Sequence, residues 1–90
     1  MAQKSIGTRN PVYIVEWGDA FIDTDDFDEK DAVKTRPVVR RTVGFLICKN
    51  QHGYVLATDE YAKKSDGAAA RMFIPHGMVR KAGRLEWSDG

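Results

Sequence analysis

The chain has 90 residues, of which 42% are hydrophobic and 30% charged, and its net charge is +1. That size supports one domain with one core, and that balance belongs to a folded globular protein rather than a disordered chain. The near-neutral total argues against a dedicated nucleic-acid binder, and the single cysteine, Cys48, excludes an intramolecular disulfide and makes a reducing cytoplasm the simplest setting.

The charge is unevenly spread. Residues 1–31 carry three basic side chains against eight acidic ones, whereas residues 32–90 carry eleven basic against five acidic. Such asymmetry marks a charged partner, or an acidic segment that folds over its own basic strands or over those of a neighbouring subunit.

In chain order, residues 1–10 are polar and aperiodic and read as a flexible lead without the apolar core of a signal peptide, and no later run is long enough to span a membrane. A single β domain is expected over residues 11–90. Pro11 to Trp17 reads as its first strand, with Tyr13, Val15 and Trp17 on one face and Val12, Ile14 and Glu16 on the other. Both faces are partly apolar, which marks this strand as well buried or in contact with a second subunit. Trp17 is expected in the core.

A long acidic loop follows over residues 19–35. Its carboxylates do not make a calcium loop: counted from Asp23, the sixth position is Asp28 instead of glycine and the twelfth is Lys34 instead of glutamate. A short helical turn over 25–32, capped by Thr24 or Asp25, fits the acids at its start. Long loops of this kind carry function, so Phe21, Asp23, Asp25, Asp26, Phe27 and Asp28 are the candidate partner-binding residues.

After Pro37 an extended run reaches Asn50, with Gly44 as the expected bend or bulge. It forms a hairpin with Tyr54–Ala57, closed by Gly53, whose freedom to take positive φ suits a tight turn. Residues 62–70 read as an exposed loop, 72–74 as a short strand, 75–79 as one 3₁₀ turn, and 79–87 as a last strand with Val79, Leu85 and Trp87 turned inward. Five strands in this order lay out a mainly β, small, partly open barrel of the SH3-like or Sm-like kind.

The succession Val15-Glu-Trp-Gly-Asp-Ala20, the acidic loop, Thr42-Val-Gly-Phe-Leu46, Tyr54-Val-Leu-Ala57 and Ile74-Pro-His-Gly-Met-Val79 resembles a group of small uncharacterised proteins encoded by bacteriophages and prophages. In these a Trp-Asp pair, a VGFL strand and a late IP turn recur in that order. The resemblance implies a phage origin, a host bacterial cytoplasm as the place of action and a small β fold. It brings no catalytic residues.

Nothing in the residues specifies an enzyme. Cys48 with His52 or His76 as base would make a nucleophilic pair, but Cys48 sits in an apolar run that reads as an inert buried thiol. One cysteine and two separated histidines fall short of a zinc site, and no phosphate-cradling loop or G-x-S-x-G elbow is present. No metal or cofactor is expected. Two readings stand: a non-enzymatic phage accessory module that binds a host protein through the acidic loop, and a homo-oligomer that holds a nucleotide signal or single-stranded nucleic acid on Arg40, Arg71, Arg80, Lys81 and Arg84. In the second, Tyr13, Tyr54, Phe73 and Trp87 would be stacking partners, and sequestration of a host defence nucleotide would be one form of the activity.

Overall fold

The computed structural model describes residues 7–86. Five antiparallel strands form one sheet: β1 (Val12–Asp19), β2 (Val38–Lys49), β3 (Gly53–Glu60), β4 (Ala68–Pro75) and β5 (Val79–Arg84), in spatial order β4-β3-β2-β1-β5. Three short 3₁₀ segments lie in the connections: His76–Met78 is the 3₁₀ turn expected over 75–79, Glu29–Lys34 overlaps the helical turn expected over 25–32, and Lys64–Asp66 was not expected. The sheet is not closed into a barrel, because no ladder joins its edge strands β4 and β5. Among the described residues no helix is long and apolar enough to cross a membrane.

The long strand β2 serves two partners. Its first half, Val38 to Phe45, pairs with β1, and Phe45 to Lys49 pairs with β3. The break in register falls between Leu46 and Cys48, not at Gly44 as expected. Gly44 is needed for a different reason: a Cβ there would lie 2.9 Å from the Ala57 carbonyl oxygen, so the two backbones meet too closely for a side chain. Gly53 is the same case. It has no positive φ; a Cβ would instead run into the Ile74 carbonyl, and the turn is made by Asn50, whose side-chain oxygen accepts the His52 and Gly53 N–H groups at 2.8 and 3.2 Å.

The core is small. Val15, Trp17, Tyr54, Leu56 and Ile74 are buried together, with Tyr13, Leu46, Met72 and Val79 packed against them. The Trp17 indole N–H donates to Thr42 Oγ1 at 2.9 Å, so the ring is buried with its one polar atom satisfied. The 3₁₀ turn His76–Met78 is fastened to the β2–β3 tip: the His76 N–H donates to the His52 carbonyl at 3.1 Å, its Nε2 lies 2.6 Å from the Asn50 carbonyl, and its ring meets the edge of Tyr54.

Several expectations are corrected. Ala68 to Ala70 belong to β4 and not to a loop, because the pairing of Ala68 with Glu60 and of Ala69 with Asp59 on β3 overrides alanine's weak strand preference. Leu85 is exposed and follows the last strand, with its N–H on the Val12 carbonyl at 2.7 Å; Trp87 lies outside the described residues. Cys48 is exposed, since the irregularity after Leu46 turns it away from the core. Of the lead over 1–10, residues 1–6 lie outside the described residues. Arg9 and Asn10 are fastened to Glu60 by three hydrogen bonds of 2.9 to 3.1 Å, and the Arg9 guanidinium reaches the Tyr61 and Gly67 carbonyls. Desolvation raises the Glu60 carboxyl, but these donors outweigh it and hold it below its ordinary value of 4.5.

Candidate functional site

Between β1 and β2 the chain leaves the sheet as an arm, residues 20–37. Every residue from 20 to 41 is exposed, and Phe21 alone of the arm's large apolar side chains is about half covered. The Cα radius of gyration is 17.7 Å, against about 12 Å for a compact domain of this length. At the neck, Asp19 stands opposite Val38 in the ladder, and its carboxylate accepts from Arg40 Nε at 2.7 Å.

The arm is built by local polar bonds. Its 3₁₀ segment starts at Glu29, later than the expected 25–32. Asp28 caps it, accepting the Lys30 N–H at 3.1 Å, and neither Thr24 nor Asp25 does. Asp23 accepts the Asp25 N–H at 2.9 Å, and Arg36 donates to the Val33 and Thr35 carbonyls. Four large apolar side chains are left outside: Phe21 at 49% exposure, Phe27 at 73%, Val33 at 78% and Ile22 at 93%. A polar loop that only connects two strands has no use for them. Each is worth about 1.5–3 kcal/mol when fully buried, and in this chain that gain is left unused.

Of the residues singled out in the loop, Phe21, Asp23, Asp25, Asp26 and Phe27 border one open cleft of about 430 Å³, together with Asp31, Ala32, Thr35 and Arg36. Asp28 does not; its carboxylate is used as the cap and faces Lys30 at 3.7 Å. Ile22 and Val33 were passed over, although their apolar character inside an acidic run is the signal that marks them. A second, wider cleft of about 1060 Å³ lies at the arm's base, between Phe21, Arg36, Pro37 and Val39 on one side and Met78, Val79 and Arg80 on the other.

The basic residues do not converge on one groove. Arg40 is held by Asp19, and Arg71 stands on β4, the opposite edge from β5 with Arg80, Lys81 and Arg84. Nor do the described aromatic residues of that set form a platform: Tyr54 is buried against Tyr13, and Phe73 is exposed on β4. What the basic residues do surround is Glu16, which the sequence did not single out. This buried carboxylate sits on the sheet face opposite the core, across from Arg41 on β2 and Lys81 on β5. Arg41 Nε donates to it at 3.0 Å, and Arg80 Nε lies 3.9 Å away.

The Arg41 hydrogen bond, reinforced by the charges of Lys81, Arg41 and Arg80, outweighs desolvation and holds the Glu16 carboxyl below its ordinary value of 4.5. A lowered folded-state pKa contributes stability above the ordinary value, and that contribution is lost as pH falls through the folded one. Urea unfolding followed from pH 7 to pH 3 should therefore show wild-type stability dropping below about pH 4.5. Glu16→Gln should start lower at pH 7 and drop less steeply. Equal slopes for the two chains would contradict this role for Glu16.

Neither histidine ring bonds to Cys48, whose Sγ accepts from Asn50 Nδ2 at 3.9 Å. Among the described residues no group of three His, Cys, Asp or Glu side chains is placed to hold a metal ion. No protein-family model, no curated protein and no solved structure matches the chain.

Proposed function

We propose that this chain is a non-enzymatic binding module, a small phage accessory protein that grips a host protein with the arm over residues 20–37. The observation that carries the reading is the arm itself: Phe21, Ile22, Phe27 and Val33 stand exposed on a self-structured, acidic segment that the chain leaves uncovered. Its partner would offer an apolar patch rimmed with Lys and Arg. The sheet is the scaffold, and an SH3-like, partly open barrel is the finer description we favour. In support, β4 and β5 are opposite edges, yet only His76–Met78 separates them. A flat five-stranded sheet would set its edges about 19 Å apart, whereas three residues of 3₁₀ helix rise only about 6 Å.

The test is affinity capture from bacterial lysate with the wild-type chain and with Ile22→Ser/Phe27→Ser. The wild-type chain should retain a defined host protein, and the variant should bind that protein at least tenfold more weakly once it is purified. Equal binding by the two chains would overturn the reading. The alternative, a nucleotide or nucleic-acid ligand, draws on the three cations gathered around Glu16. Calorimetry at low salt that shows no uptake of nucleotides or oligonucleotides by the wild-type chain would remove it.

A further inference from the structure

The surface that fits the arm best is on the chain itself. The wide cleft at the arm's base is lined by the apolar Phe21, Pro37, Val39 and Met78 and by the cations Arg36 and Arg80; its one acid, Asp19, is already paired with Arg40. Val39 and Met78 are both more than two-fifths exposed, so the apolar lining is uncovered. The arm carries the complementary set: exposed Ile22, Phe27 and Val33 beside Asp25, Asp26 and Glu29, none of which has an ion-pair partner among the described residues. In its own chain residues 22–34 of the arm do not border that cleft, and all of them are exposed.

We infer that the arm of one copy seats in the arm-base cleft of a second copy, and the second copy's arm in the first, as a reciprocal two-fold dimer. Two features of the chain favour a second copy as the occupant. Donor and receiver have opposite charge and matching apolar content. They also adjoin each other, because Phe21, Thr35 and Arg36 border both the arm's own cleft and the wide one. A two-fold axis beside the arm therefore brings each arm to the other's cleft through one continuous, self-complementary patch, as an isologous interface requires. The inference rests on the arm being a docking element. It adds that self-association competes with the host partner for the same side chains, and that salt weakens the dimer by screening the acidic–basic contact.

Light scattering and sedimentation on the full chain test it, with two charge-reversed variants: Asp25→Lys/Asp26→Lys on the arm and Arg36→Glu/Arg80→Glu on the cleft. If a second carboxylate beside Glu16 prevents folding, Arg36→Glu/Arg80→Gln replaces the latter. The wild-type chain should pass from one to two chains per particle as concentration rises, and each variant alone should need at least tenfold more protein to do so. An equimolar mixture should recover the wild-type association, because each arm then meets a cleft of opposite charge. A wild-type chain that stays monomeric, variants that associate like wild type, or a mixture that does not recover would each overturn the dimer. A monomeric wild-type chain whose host partner is lost on Ile22→Ser/Phe27→Ser would overturn the dimer and leave the binding module standing. A dimer that captures no host protein would do the reverse.

Discussion

Gly53→Ala should cost the domain more than about 3 kcal/mol, the upper end of what overpacking usually does. The atoms that a Cβ would meet are the Ile74 carbonyl carbon and oxygen and Pro75 Cα, all backbone, so no side chain can swing aside. Relief requires β3 and β4 to part at the Gly53–Pro75 end of their ladder, and Ile74, one of the fully buried core residues, must move with them. A domain of this length has about 5–13 kcal/mol in all, so one methyl group should remove a large share of it. Gly83→Ala is the control. A Cβ there meets nothing within 4 Å, and the same change should be neutral or slightly stabilising by urea unfolding. Equal effects at the two glycines would contradict the close approach at Gly53.

Leu56→Ala should cost about 2–5 kcal/mol, as buried leucine truncations do. Leu56 is 1% exposed and stands in register with Leu46 on one side and Met72 on the other, so the vacated space is walled by two neighbouring strands. Among the described residues its core cluster is Val15, Trp17, Tyr54 and Ile74 with four partly buried neighbours, so few side chains are at hand to collapse inward. The urea midpoint should fall with the slope unchanged. Tryptophan fluorescence of a Trp87→Phe background, in which Trp17 of the same cluster is the one emitter, should report the same transition as circular dichroism. A loss below about 1 kcal/mol would mean that the core lies elsewhere.

The sequence was most informative where pattern follows from side-chain type. The apolar runs around Gly53, the two-faced first strand and the buried Trp17 were legible because strand alternation and aromatic burial are local rules. Gly53 was rightly marked as special, but its identity alone does not say whether φ or a close neighbour demands it, and here the neighbour is 21 residues away in β4. Ala68 to Ala70 were misread because their pairing is set by β3 and not by their own preference. Cys48 was misplaced by a one-residue irregularity that reverses which side chains face the core. Glu16 went unnoticed for a related reason: its neighbours Arg41 and Lys81 are set by the register of three strands, which no local pattern encodes.

The arm shows the division most clearly. Its length, its six carboxylates and Phe21 and Phe27 were visible as composition. That Asp28 is used as a cap, that Ile22 and Val33 stand outside, and that residues 22–34 stay exposed are facts of three-dimensional placement.

Both the host-binding module and the dimer depend on the arm being carried by the sheet without supporting it. Urea unfolding of a chain in which residues 22–31 are replaced by a short Gly-Ser linker tests this most directly, at a concentration where the wild-type chain is monomeric. An arm that buries nothing predicts a midpoint within the small change that loop shortening allows, about 0.6 kcal/mol for a halving of length. A loss comparable to that of Leu56→Ala would show that the arm is part of the core and would contradict the functional reading.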